Sequence, residues 1–261
     1  MTVYEALKIY KDRGLPELEA YLVIKKITGK TKEYLVAHPE YQFCEQSFFD
    51  LLNKRLVGFP LSYLLNEKSF YKHNFYVEEG VLIPRPETEL LVENALKVID
   101  KEKIKKVAEI GVGSGAVIIS ILLETNCVGF GTDISKKALE IAKKNARKFR
   151  VIDRLDLRLG KFLEPFKNEY DEIELIVSNP PYVKNNSNLQ KEVMFEPKEA
   201  LFGGEDGLDF YREFLSSYDL NGKIVVMEIG HDQGDFFRKK DWNVIKDYSG
   251  NDRIVIKDFR R

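Results

Sequence analysis

Three spacings of apolar residues follow one another along the chain. Over residues 1–65 they recur at helical intervals. Thr2-Val3-Tyr4-Glu5 has the capping-box form, Thr followed three residues later by Glu. Pro16 stands as the first residue of a second predicted helix, with Leu18, Leu22 and Ile27 on one face and Gly29 as its stop. A third helix is predicted over 45–57, stopped by Gly58 and Pro60. Between 66 and 83 the pattern shortens. The aromatic and β-branched residues of "KSFYKHNFYVEEGVLI" flank Lys72-His73-Asn74, which predicts a β-hairpin turning there. "PRPETELLVENALKVID" follows, its prolines ending the extended segment and Thr88 opening a helix with Leu91, Ala95 and Val98 on one side.

From about residue 104 strand and helix patterns alternate. "KKVAEIG", "VGFGTD", "LDLRLG", "ELIVSN", "KIVVMEIG" and "RIVIKDF" are strands; "GAVIISILLE", "SKKALEIAKKNARKF" and "DGLDFYREFLSSY" are helices. Such alternation predicts an α/β fold with a doubly wound, largely parallel sheet. The expected organisation is a small N-terminal helical domain (1–65), a β-hairpin linker (66–83) and the α/β domain (84–261).

Composition narrows the classes. Lys+Arg (41) and Asp+Glu (42) cancel to a formal charge of −1, which gives no electrostatic case for a dedicated nucleic-acid binder. The helical region shares this balance, with nine Lys/Arg and eight Asp/Glu in residues 1–60, and so is expected to be a docking domain rather than a basic arm. Charged residues make up 32%, above the typical ~25% and compatible with surface ion pairs of a heat-adapted protein. Cys44 and Cys127 lie far apart, as buried thiols of a reducing compartment would, and the three histidines are scattered, so no metal site is expected. The N-terminal residues lack the apolar stretch of a signal peptide, and no run approaches the ~20 apolar residues of a membrane span; the expectation is a cytoplasmic protein that does not contact membrane.

The candidate chemistry lies where strands end. "AEIGVGSGA" sets Gly111, Gly113 and Gly115 between a strand and a helix, where free N–H groups at the helix start suit an anionic group. Ala116 stands where the dinucleotide fingerprint needs its last glycine, which argues against NAD. Asp133 ends the next strand twenty residues after Gly113, placed to accept ribose hydroxyls, and Glu109 adds a carboxylate suited to an ammonium group. Ribose, ammonium and carboxylate together describe S-adenosylmethionine.

The second candidate is "SNPPY". Two prolines fix two φ angles and remove two N–H donors, so the strand cannot run past Asn179. If this strand lies beside the glycine-loop strand at the reversal of the winding, the turn faces the donor's reactive end. The Asn179 side-chain oxygen and the Pro180 carbonyl can then accept the two hydrogens of a planar nitrogen, Pro181 has no N–H to compete for them, and Tyr182 can supply a flat wall. Isolated, "NPPY" is also ordinary turn chemistry. An amino methyltransferase acting on adenine or guanine of nucleic acids, a non-catalytic cofactor-binding module and an NAD-type oxidoreductase stay open at this point.

Longer blocks point further: "GFPLSYLLNEKSFY" (58–71), "IPRPETELLVENAL" (83–96), "EIGVGSGA" (109–116), "SNPPYV" (178–183) and "FEPKEALFGGEDGLDFYREF" (195–214). Through these the sequence resembles the HemK/PrmC family of protein-(glutamine-N5) methyltransferases. The similar ribosomal-protein glutamine methyltransferases differ at Pro86-Glu87-Thr88. The resemblance implies a Rossmann-like methyltransferase domain, S-adenosylmethionine as donor, and the glutamine of the Gly-Gly-Gln motif of class-I peptide chain release factors as acceptor. It places substrate contacts on Asn179, Pro180, Pro181 and Tyr182, with catalysis at Asn179, Pro180 and Tyr182. Cofactor contacts fall on Gly111, Val112, Gly113, Ser114, Gly115, Asp133 and Asn179, and Phe162 near the adenine. Val112 departs from the family's usual threonine, and the helical region is shorter than usual. Arg85 is expected to shape the pocket mouth, and the glycines of "GGEDG" (203–207) to let the segment 184–207 close on substrate.

Overall fold

In the computed structural model, which describes residues 1–260, the first helix, α1 (Val3–Asp12), starts at the capping box: Thr2 and Glu5 satisfy one another's backbone amides. α2 (Glu17–Thr28) ends at Gly29 in the left-handed conformation, φ 70°, which glycine adopts without a Cβ penalty. Its buried face, however, is Ala20, Tyr21, Val23 and Ile24; Leu18 is 54% exposed. The buried face is therefore rotated from the expected one, since helical spacing alone does not decide which arc meets the neighbouring helices. α3 (Lys32–Ala37) was not foreseen, being too short to show a period. α4 (Glu45–Leu56) and α5 (Leu61–Leu65) complete the set.

The chain divides into two compact units. One is Met1–Glu67 with Leu189–Phe195; the other is Lys68–Asn188 with the chain from Glu196 onward. In the first, Val3, Tyr10, Val23, Ile24, Leu35, Phe48 and Leu52 form the core, and Arg55 ties the returning segment in, pairing with Glu19 at 2.7 Å and Glu192 at 2.8 Å.

The second unit opens with a two-stranded ribbon, β1 (Lys68–Phe70) and β2 (His73–Phe75), turning at Tyr71-Lys72. This corrects the expected Lys72-His73-Asn74 turn. Both turn residues have positive φ, 40° and 67°, the combination that matches strand twist in a two-residue hairpin, although neither is the Asn or Gly that signals it. A 3₁₀ turn at Pro86–Thr88 precedes α6 (Glu89–Glu102). Then come β3 (Lys106–Ile110), α7 (Ala116–Glu124), β4 (Val128–Asp133), α8 (Lys136–Lys148), β5 (Leu155–Leu159), β6 (Leu175–Ser178), α9 (Asp209–Ser217), β7 (Ile224–Glu228), α10 (Gly234–Arg238), β8 (Asn243–Lys246) and β9 (Asp252–Asp258).

The sheet runs β5-β4-β3-β6-β7-β9-β8, parallel except that β9 pairs antiparallel with both β7 and β8. β8 has a half-exposed pattern and escaped prediction. Alternate residues separate two apolar layers. Val107, Leu175, Val177, Ile224 and Val226 meet α6, α7 and α8; Ala108, Ile110, Ile176, Val225 and Met227 meet α9 and α10. Because the winding proceeds from β3 outward to β5 and then restarts at β6 on the other side of β3, the loops after β3 and β6 flank one crevice.

Candidate active site

The loop after β3 is set by its own hydrogen bonds. The amides of Gly111 and Val112 donate to the Thr132 carbonyl at 2.9 and 3.0 Å, Gly115 to Val112 at 2.7 Å, and Gly113 to the Asp133 carboxylate at 2.9 Å. Those four amides are spent on the fold, so the free N–H groups expected at the helix start have to come from the residues around them. Among the described residues the amides of Ser114, Ala116 and Val117, at the start of α7, have no hydrogen-bond partner, and all three residues line the cavity.

Glu109, 2% exposed, reaches from β3 to accept the Ile118 amide of α7 at 2.9 Å. Burial pushes its carboxyl well above the usual range, opposed by that amide. Asp133 takes the Gly113 amide on Oδ2 and the Ser135 amide on Oδ1, both at 2.9 Å. Burial raises it too, against the lowering by these amides. An ionised carboxylate has about four lone-pair sites, so Asp133 retains acceptor capacity for vicinal hydroxyls. The wall thus offers a carboxylate for an ammonium, unspent amides for a carboxylate, and Asp133 for a ribose.

These groups line a cavity of about 340 Å³. Glu109, Gly111, Val112, Gly113, Ser114, Asp133, Phe162, Asn179, Pro180 and Pro181 contribute to its wall. Val112, 3% exposed, packs under Gly131, whose missing side chain leaves it room: a Cβ there would lie 2.7 Å from Val112 Cγ1. Phe162 sits within an aromatic group with Phe210, Phe214 and Tyr218.

Gly115, Tyr182 and Arg85 do not line the cavity, each for a physical reason. Gly115, φ 80°, serves helix packing: a Cβ would lie 2.8 Å from Ile119 and 3.3 Å from Ala142 of α8. Tyr182 turns from the cavity into the apolar layer of α9 and β7, its hydroxyl donating to Glu228 Oε1 at 3.1 Å. Arg85 pairs with Glu196 at 2.6 Å, and Glu196 also accepts the Ile83 amide at 3.0 Å, so the pair fixes the chain around Pro84.

The turn itself is held from behind. Asn179 Nδ2 donates to Thr88 Oγ1 at 2.9 Å, which leaves Oδ1 uncommitted. Val183 bridges in parallel to Phe202, and Gln233 Nε2 donates to the Tyr182 and Gly207 carbonyls at 3.2 and 3.0 Å. The glycines of 203–207, expected as hinges, are instead required by close approach: a Cβ on Gly203 would lie 2.4 Å from the Pro181 carbonyl, and one on Gly207 2.2 Å from that of Tyr182. Thr88, Glu196, Glu228 and Gln233 were missed by motif reasoning. Glu228 left a signal, an acid closing an otherwise apolar strand, "IVVME".

Among the described residues no group of three or more His, Cys, Asp or Glu is arranged to hold a metal ion, and no helix is long and apolar enough to cross a membrane.

A family model described as the Methyltransferase small domain matches residues 86–205, and one described as the PrmC N-terminal domain matches 5–65. The chain is similar to the release factor glutamine methyltransferase of Dictyoglomus turgidum, 37% identical over 93% of this chain and 86% of that one. Its counterpart in Bacillus cereus is 36% identical over 98% and 99%. Among solved structures the hMettl16 catalytic domain superposes with a TM-score of 0.56 over 72% of this chain and 76% of that one, a likeness of fold alone at 14% identity.

Proposed function

The chain belongs to the release factor glutamine methyltransferase family, and on that premise we propose that its acceptor is the glutamine of the Gly-Gly-Gln motif of class-I peptide chain release factors. It is a protein-(glutamine-N5) methyltransferase whose donor is S-adenosylmethionine. The observation that carries the reading is Asn179: with its Nδ2 committed to Thr88, its Oδ1 remains to receive an amide N–H.

The residues present fit the donor. Glu109 would hold its ammonium, the amides of Ser114, Ala116 and Val117 its carboxylate, Asp133 its ribose, and Phe162 the adenine side. The absence of free amides across Gly111–Gly113 suits a ligand without a pyrophosphate. Bound there, S-adenosylmethionine supplies an electrophilic methyl group on a sulfonium.

The chain's own work is orientation. An amide nitrogen is a weak nucleophile because its lone pair is delocalised. Asn179 Oδ1 and the Pro180 carbonyl accept its two hydrogens, which fixes the plane of the amide and raises electron density on nitrogen. Pro181 holds that carbonyl by its fixed φ and brings no competing donor. Tyr182 acts from behind, through Glu228, and Arg85 through Glu196. The helical unit docks the release factor, and the balanced charge supports a protein acceptor met in the cytoplasm, with neither nucleic acid nor membrane engaged.

The test is mass spectrometry of a release factor after incubation with enzyme and donor, with DNA and RNA as parallel acceptors. One methyl group on the Gly-Gly-Gln peptide is expected. Methylated nucleic acid beside an unmodified release factor would overturn the proposal.

A further inference from the structure

We infer that the hydroxyls of Thr132 and Tyr218 clamp the peptide group between Phe162 and Leu163, and that these two positioning residues hold the adenine side of the donor cavity preformed. The inference rests on the placement of Phe162 beside the adenine given above.

The loop after β5 carries a strained residue. Phe162 has φ 48°, in the left-handed region, where the Cβ of an L-residue crowds the following carbonyl oxygen. Glycine adopts this conformation freely; an aromatic residue keeps it only where its surroundings impose it. Here both ends of the next peptide group are taken by side chains. Thr132 Oγ1 donates to the Phe162 carbonyl at 2.5 Å, and the Leu163 amide donates to the Tyr218 hydroxyl oxygen at 3.0 Å. That carbonyl and that amide lie in one rigid plane, so the two hydroxyls restrain the same rotation from opposite ends.

The two side chains come from different elements. Thr132 is wholly buried in β4, immediately before Asp133, and Tyr218 is half-buried just after α9. The Tyr218 ring also meets that of Phe162 edge-on, with centroids 6.1 Å apart, and that of Phe214 at 5.5 Å. At the start of the loop the Gly160 amide donates to the Asp133 carbonyl at 3.0 Å. The last two residues of β4 therefore carry the ribose carboxylate and anchor the adenine-side loop together.

The fold alone does not require these hydroxyls. Valine at 132 would suit a buried strand and bring no polar group in need of a partner, and phenylalanine at 218 would keep the ring contacts. What the hydroxyls add is a left-handed Phe162 on the cavity wall. Strain of this kind gathers at ligand clamps, where it prearranges a contact. A loop free to relax would present that wall for only part of the time, and apparent affinity falls by the same fraction. Releasing one left-handed residue corresponds to a population change of roughly 5- to 30-fold.

The experiment separates the adenine from the rest of the ligand. S-adenosylhomocysteine and S-ribosylhomocysteine share the ribose and the amino-acid portion, and only the first carries the base. Their affinities, by competition with S-adenosylmethionine, and hydrogen exchange of the Leu163 amide in donor-free protein are compared in the wild type, Thr132→Val, Thr132→Ser and Tyr218→Phe. In Thr132→Val we expect S-adenosylhomocysteine to bind about fivefold more weakly or worse, and S-ribosylhomocysteine to stay within about twofold. The Leu163 amide should exchange faster although its own acceptor is untouched. Thr132→Ser, which keeps the hydroxyl, should stay close to the wild type in both measurements. Tyr218→Phe should weaken S-adenosylhomocysteine selectively as well, and decides the matter if Thr132→Val fails to fold. Equal weakening of both ligands would overturn the inference, as would a folded Thr132→Val with wild-type preference and wild-type Leu163 exchange. Faster Leu163 exchange with an unchanged preference for S-adenosylhomocysteine would overturn it in a different way, by removing Phe162 from the adenine side.

Discussion

Replacing Asp133 with alanine separates what this carboxylate does for the donor from what it does for the fold. The ribose hydroxyls lose a charged acceptor, and hydrogen bonds to charged groups contribute about 1.5–3 kcal/mol. Donor binding should weaken by roughly 10- to 150-fold. The fold loses the acceptor for two amides, Gly113 and Ser135, each at 2.9 Å. Asp133 is half-buried, so water can reach both amides in the variant, and about 1 kcal/mol each is the appropriate scale. The burial that raises its carboxyl is relieved at the same time, which offsets part of this loss. Calorimetric titration with S-adenosylmethionine and urea denaturation of the same preparation report the two quantities. Asp133→Asn should fall between, because its NH₂ faces one of two N–H donors. A folded Asp133→Ala protein with wild-type donor affinity would refute the assignment.

Asn179→Ala should fold and still bind the donor, yet methylate a release factor ~10²–10³ slower in a single turnover; near-normal turnover would remove the amide-orienting role. Gly115→Ala should lower the unfolding free energy by about 1–3 kcal/mol, through positive φ and the 2.8 Å approach to Ile119, with a smaller effect on donor affinity than Asp133→Ala. Donor affinity should increase as pH rises, since Glu109 and Asp133 are both raised by burial and must ionise to meet an ammonium and hydroxyls; calorimetry in buffers of different ionisation enthalpy should show proton release, and a flat profile would count against Glu109 as the ammonium partner.

The sequence by itself determined the elements with a strong local cause. Thr2 with Glu5, Gly29, and the alternation from β3 onward are short-range signals, and each produced the structure it announces. The adjacency of the glycine loop and Asn179 was also legible, because a doubly wound sheet leaves few places for a crevice. What only the tertiary structure decided is the support behind the site. Thr88 meets Asn179 across 91 residues and Tyr182 meets Glu228 across 46, pairings that no local pattern encodes. The same holds for Gly203, whose lack of a side chain is set by the Pro181 carbonyl, a neighbour distant in the chain. Leu18 shows the converse: helical spacing gives a periodicity, but which arc is buried depends on what packs against it. Local propensity selects the conformation of a segment, whereas the orientation of a buried polar group is fixed by partners that exist only after the sheet has assembled.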